Sequence, residues 1–477
     1  MNFFRKKLPV ITVSLLSLAL VIFKWKDLSL PAYWDEGFPY VYAIRYLADH
    51  HLTLLPSGMP PLYSTGHPTL FYFLAAAWMK ISGTGIATAH IFPLAISVVL
   101  LFAVYRFGKI FFSEWAGVFA VLLLATRAVF LAQSSMLLPE NLVALFMLLA
   151  FEAWLKKRNW LYFTWASLLL LTKEPGLVFI GVIGLYDFFT LLRTREIPFG
   201  KKIRILAVIA SPVLPAVLFF IVQRIQLGWF FFPRHIHSFE TTPGEYYDKL
   251  VKGFGSQFFV YYGGLFITIA IASLLAYGRK QLKYITAVQR TFLRTVPLIV
   301  VAYILFFSFS FPIPRYILCL YPLWFLMAGF LATQLLQPVK KFAAPALLFL
   351  LAAIQAGYAY DIRSQADFDL GYADGVRVEQ QAIDWCVKNN YMNSPVFAQE
   401  ILQRGMTSDA DGFVSPENIF HNVGHSFNDS TRLFIFTSFL PEPNETEARK
   451  LPLELLQRFT SGKAWIEIWT WKTGDSL

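Results

Sequence analysis

Residues 160–192 read WLYFTWASLLLLTKEPGLVFIGVIGLYDFFTLL, and apart from Lys173, Glu174 and Asp187 nothing in the stretch carries a charge. Apolar runs of this density, interrupted only by the turn Thr172-Lys173-Glu174-Pro175-Gly176, are membrane helices. The two halves, near 160–172 and 175–192, are each short for a full span, so they fit a broken or strongly tilted pair.

The same pattern extends in both directions. Segments near 8–24, 90–107, 115–131, 138–155, 205–227, 257–277, 295–311, 316–336 and 343–360 bring the expected number of transmembrane helices to about eleven. Composition agrees: 56% of the 477 residues are hydrophobic and 15% charged, too little polar surface for soluble domains of that total length. The 48 Phe, 22 Tyr and 13 Trp exclude a disordered or low-complexity chain, and two cysteines, Cys319 and Cys386, exclude a disulfide framework.

The net charge of +11 would suit a nucleic-acid partner if it were clustered on one soluble face. It is not. Arg5/Lys6/Lys7, Arg106/Lys109, Lys156/Lys157/Arg158, Arg193/Arg195/Lys201/Lys202/Arg204, Arg279/Lys280/Lys283/Arg290/Arg294 and Lys340/Lys341 occupy every second loop. The positive-inside rule makes that side cytoplasmic, and parity puts the alternate loops and the C-terminal tail outside. No small-residue cleavage site follows Phe23, so the first segment is read as an anchor. Compact loops and the lack of a retention signal point to a bacterial inner membrane.

Residues 1–360 therefore form the membrane domain, with two outer segments long enough for structure of their own. The first outer loop, 25–89, carries two stretches of helical apolar spacing, Gly37–Asp49 and Pro68–Lys80, read as helices on the membrane surface. The second, 361–477, is rich in Asp, Glu, Asn and Gln, with a helical stretch near 376–390 and alternating strands at Leu433–Thr437 and Ala464–Trp471. It is expected to be a small α/β domain outside the membrane. Asn428 and Asn444 begin glycosylation sequons, which matter only in a host that glycosylates there.

No phosphate-binding loop, serine-hydrolase elbow or zinc motif occurs, which argues against ATP-driven transport by this chain. The informative residues are charges at the outer membrane face, where each needs a partner or a task. Asp35 and Glu36 enter the first surface helix, either as N-terminal capping charges or as the base that takes a proton from an acceptor hydroxyl. His67, at the polar turn before Pro68, is either a loop residue or part of an anion site at a helix start. Glu140 opens a span at Pro139-Glu140-Asn141, as a helix-terminal charge or a functional one. Lys173 and Arg315, the latter followed by Tyr316, lie in short outer turns that the positive-inside rule disfavours; cations there suit a lipid phosphate, although carboxylate pairing or snorkelling also accounts for them. Arg127 is a weaker case of the same kind. His235 and His237, with Glu240 nearby, are the only hint of a divalent metal, with a solvated loop as the plainer reading.

Taken in order, Asp35-Glu36, the stretch from Gly66 to Tyr72, Leu138-Pro139-Glu140, Thr172-Lys173-Glu174-Pro175-Gly176 and Pro314-Arg315-Tyr316-Ile317-Leu318 resemble the GT-C membrane glycosyltransferases, most closely the protein O-mannosyltransferase and lipid A aminoarabinose transferase group. The resemblance covers roughly residues 1–360. It implies an inverting transferase that moves a sugar from a polyprenyl-phosphate carrier to a lipid, glycan or protein acceptor at the outer face, with Asp35 as base and Lys173 and Arg315 on the carrier phosphate. The chain departs from the group's pattern at Gly66-His67-Pro68, where an acidic-Lys-Pro motif is usual, and at Glu140, where Asp is more common.

The residue inventory fits that chemistry. A phosphate leaves as a stable anion and needs no general acid, so one carboxylate base is enough, and cations stabilise the departing charge. The alternatives are a lipid-linked sugar transporter or flippase, or a ligase moving a whole glycan. A transporter should show a broken-helix break repeated in matching halves, and no second copy of the Lys173 turn is evident.

Overall fold

The computed structural model describes residues 2–233, 242–251, 284–310, 313–335, 343–439 and 443–472. Eleven helices precede residue 230: α1 Asn2–Lys24, α2 Tyr42–Asp49, α3 Leu70–Ser82, α4 Ile86–Phe111, α5 Glu114–Ala125, α6 Ala128–Gln133, α7 Glu140–Leu155, α8 Asn159–Thr172, α9 Gly176–Arg193, α10 Phe199–Ala210 and α11 Val213–Leu227. Helices Ala287–Ser308, Tyr321–Leu335 and Ala343–Asp361 follow. Among the described residues five helical segments are long and apolar enough to cross a bilayer, or six if α10 and α11 count as one span. Others among the expected spans are present as shorter apolar helices such as α5. The chain is an integral membrane protein.

Three expectations change in detail. The stretch read as a single span at 205–227 is broken: α10 and α11 meet at an angle of 50°, where Pro212 and Pro215 remove backbone donors at the start of α11. The surface helix expected from Gly37 begins instead with an irregular turn, Glu36–Val41, because Phe38 is extended (φ −128°, ψ 127°), and regular helix starts only at Tyr42. The second surface helix runs as α3, two residues later than its apolar pattern suggested. The segment 257–277 lies outside the described residues.

Close backbone approach holds the bundle together. A Cβ on Gly108 of α4 would lie 2.3 Å from the Cα of Gly117 in α5, and one on Gly329 would lie 2.5 Å from the carbonyl oxygen of Ala116. Small residues at such crossings let helices pack without a hydrophobic driving force. Ser113 caps α5 by accepting from the Ala116 amide.

Beyond the last membrane helix, helix Tyr372–Lys388 packs against a five-stranded sheet. The strands are β1 Val396–Phe397, β2 Val423–Gly424, β3 Leu433–Thr437, β4 Leu453–Ser461 and β5 Ala464–Trp471, in the order β2-β1-β3-β5-β4. β1 runs parallel to β2 and β3, and β5 is antiparallel to β3 and β4. This unit is fastened to the first loop. The Ala32 amide donates to the Asp411 carbonyl (2.8 Å), Trp34 packs edge-on against Phe439, and the buried ammonium of Lys24 reaches both Asp27 (2.9 Å) and the Tyr372 hydroxyl (2.7 Å).

Candidate active site

Three turns at the same end of the bundle, and one segment from beyond it, converge on Arg315. Pro314 starts a short helical turn, Pro314–Leu320, that carries the guanidinium inward, where it is 3% exposed. Asp35, from the first loop, forms an ion pair with it; so does Asp367, from the segment between helix Ala343–Asp361 and the sheet domain. Glu140, at the first turn of α7, lies 3.5 Å from the Arg315 Nε and accepts from the Lys173 ammonium at 2.9 Å. Lys173 itself ends α8 in an extended conformation, so that its ammonium stands 4.2 Å from the centre of the Tyr316 ring.

The result is two buried cations, Lys173 and Arg315, neutralised by Asp35, Glu140 and Asp367. Buried charges of this kind persist only when each has a counter-charge. The exposures are unequal. Glu140 and Asp367 have 4% of their side chains accessible, whereas Asp35 has 37%. Asp35 is thus the carboxylate of the cluster most open to its surroundings. Glu140, Lys173, Arg315 and Tyr316 also line a small cavity together with apolar Val143 and Phe307.

Asp35 does not act as a helix cap: its side chain makes no capping hydrogen bond and pairs with Arg315 instead. Its neighbour Glu36 goes the other way. The Glu36 carboxylate is buried, accepts from the Leu137 amide and pairs with Nε2 of His90 at 2.9 Å, while His90 Nδ1 faces the Leu28 carbonyl at 2.9 Å. Glu36 therefore ties the first loop to α4 and the turn before α7; a proton-transferring role for it has no support in this placement.

His67 is brought next to the cluster without joining it, since its Nδ1 lies 2.8 Å from Glu174, the residue after Lys173. Burial opposes ionisation of Glu174, but the adjacent His67 ring, with Lys173 behind it, holds that carboxyl below its usual range. Gly66 makes the turn possible: its φ is +77°, and a Cβ there would meet the Phe232 side chain at 2.5 Å. Arg127 donates to the Tyr321 hydroxyl at 2.9 Å. His235 and His237 lie outside the described residues, and among the described residues no group of three or more His, Cys, Asp or Glu is placed to hold a metal ion.

Asp367 is the residue the sequence did not reveal. It sits in a polar stretch with Asp361 and Asp369, and nothing local separates it from them. What distinguishes it is the Gln133 side chain, which donates to the Asp367 carbonyl at 2.6 Å and holds the segment over the bundle.

Comparison with known proteins bears on the fold. Residues 66–218 match the family model described as dolichyl-phosphate-mannose-protein mannosyltransferase. The crystal structure of ArnT from Cupriavidus metallidurans in the apo state superposes with a TM-score of 0.54 over 95% of this chain and 97% of that one, at 13% identity. The two share a fold. The same ArnT bound to undecaprenyl phosphate superposes with a TM-score of 0.50, covering 97% of each chain at 14% identity. No curated protein is recognisably similar to the chain in sequence. The family match runs from before α3 into α11 and therefore includes His67, Glu140 and Lys173, while Asp35 and Arg315 flank it.

Proposed function

We propose that this chain is an inverting glycosyltransferase that moves a sugar from a polyprenyl-phosphate carrier to a lipid, glycan or protein acceptor, with Asp35 as the base. The observation that carries the reading is the convergence of Asp35, Lys173 and Arg315 on one site with Asp35 on its open side. The GT-C fold and the match to the mannosyltransferase model support it, as does the undecaprenyl phosphate bound to the similar ArnT.

The donor phosphate binds against Lys173 and Arg315, and the acceptor hydroxyl approaches Asp35. Asp35 takes the hydroxyl proton as the acceptor oxygen bonds to the anomeric carbon. The bond from that carbon to the phosphate oxygen breaks on the opposite face, which inverts the configuration, and the carrier departs as a phosphate monoester with one more negative charge. Lys173 and Arg315 face that added charge. Glu140, in contact with both cations, fixes their spacing.

A carboxylate paired with a guanidinium is a poor base, and a guanidinium surrounded by carboxylates is a poor phosphate site. Donor binding resolves both: the phosphate takes Arg315 from Asp35 and leaves Asp35 free to accept the proton. Base activation is then coupled to occupancy by donor.

The site faces outward, with the N-terminus cytoplasmic and the sheet domain extracytoplasmic; the basic turns at the opposite end of α7, α8 and α9 support that orientation. Compact loops favour a bacterial inner membrane. The test is an assay of the purified chain against a panel of polyprenyl-phosphate sugars with glycolipid, glycan and protein acceptors. Transfer by the wild type and none by Asp35→Asn, with donor binding retained, is the expected result. Absence of transfer with every donor, or equal transfer by Asp35→Asn, overturns the proposal.

A further inference from the structure

At the end of the bundle opposite Asp35, a cleft of about 1370 Å3, counting its open mouth, separates the turn after α7 from α9 and α10. Lys157 projects into it from that turn, and Lys201 and Arg204 from the first turns of α10; Trp154 and Tyr162 also line it. Three cations share one cleft, and among the described residues none of them has an ion-pair partner within 4.0 Å. The carboxylate within reach, Asp187, accepts from the Trp154 indole at 3.0 Å. Lys157 is held in place by a left-handed backbone (φ 55°), a conformation a lysine adopts at a cost, and its ammonium lies 5.3 Å from the centre of the Trp154 ring.

A concave site with unpaired cations and an indole floor is built for an anion. The helices that carry it decide which kind. Trp160 (75%), Phe199 (77%), Leu192 and Ile203 are exposed on the helices that carry the cleft, where a soluble phosphate would find no use for apolar surface. Acyl chains would. We propose that this cleft binds the phosphate headgroup of an anionic phospholipid in the leaflet opposite the Asp35 site, with its chains against the exposed apolar residues of α8, α9 and α10. The inference requires only that the chain spans a membrane, and it stands whether or not the transferase reading holds.

Basic residues near an anionic headgroup each contribute enough to change affinity about fivefold. The full-length protein, purified in detergent, is presented with phosphatidylglycerol, with phosphatidylcholine, and with inorganic phosphate alone, and bound lipid is read by native mass spectrometry beside thermal unfolding. Wild type should retain phosphatidylglycerol in preference to phosphatidylcholine, and the triple variant K157Q/K201Q/R204Q should lose that preference by about a hundredfold. Arg158→Gln, a charge removed from the same turn outside the cleft, should leave it intact. If the triple variant fails to fold, the three single variants each read a loss of about fivefold. Equal retention of both lipids by wild type overturns the proposal, as do undiminished binding by the variants and stabilisation by inorganic phosphate equal to that by lipid, which would make this a soluble-anion site.

Discussion

Asp35 and Asp367 lie against the same guanidinium, although one precedes most of the membrane helices and the other follows the last of them. Two carboxylates on one buried arginine form a closed state, in which an incoming anion would have to displace at least one of them.

For Asp35→Asn, sugar transfer should fall by about 10²- to 10⁴-fold, the usual contribution of a positioned base. Donor affinity should hold or rise, because an amide competes less well for Arg315. Measuring kcat alongside donor Kd checks both; loss of binding in parallel with rate would make Asp35 a binding group only.

Asp367→Asn should tighten donor binding severalfold while kcat stays within about tenfold of wild type, because Asp367 competes with phosphate and transfers no proton. A titration with unreactive polyprenyl phosphate is the measurement. Weakened binding would show that Asp367 orients Arg315 instead of masking it.

Removing Arg315 altogether leaves Asp35, Glu140 and Asp367 around an empty position, so Arg315→Ala should lower stability by about 3–5 kcal/mol. Arg315→Lys keeps the charge but cannot fork toward two partners, and should fold yet lose most transfer. Thermal unfolding beside an activity assay separates the two; wild-type turnover in Arg315→Lys would contradict a forked phosphate contact.

The seam between the sheet domain and the first loop should respond to pH. Burial, with Asp411 nearby, pushes Glu379 up to about 8, and burial pushes Asp411 up to about 7 against the pull of Arg404 and Arg45. Both carboxyls hold protons in the folded protein that the unfolded chain has released above its ordinary carboxylate range near about 4. Their contribution is therefore complete in acid and is lost as pH rises toward about 8. Melting temperature should fall across that interval, and Glu379→Gln should flatten the slope and stabilise the protein on its alkaline side. An unchanged slope in Glu379→Gln would refute the assignment.

Lys173 and Arg315 were legible in the sequence because a charge in an apolar outer turn stands out against its surroundings, whatever the rest of the chain does. Asp35 was legible for the same reason, but its partner was not, since Arg315 lies 280 residues further along the chain. Adjacent carboxylates read as a pair in the sequence, whereas in the fold Glu36 meets the Leu137 amide and His90 and Asp35 meets Arg315. Asp367 had no local signature at all, since its meaning resides in an arginine on another element. The bend between α10 and α11 was written in Pro212 and Pro215, yet hydropathy averages over such a break.

The fastening of Lys24 to Tyr372, and of Ala32 to Asp411, ties the loop that carries Asp35 to the sheet domain that follows Asp367. Both carboxylates on Arg315 thus hang from one joint. Loosening that joint would shift the two of them together.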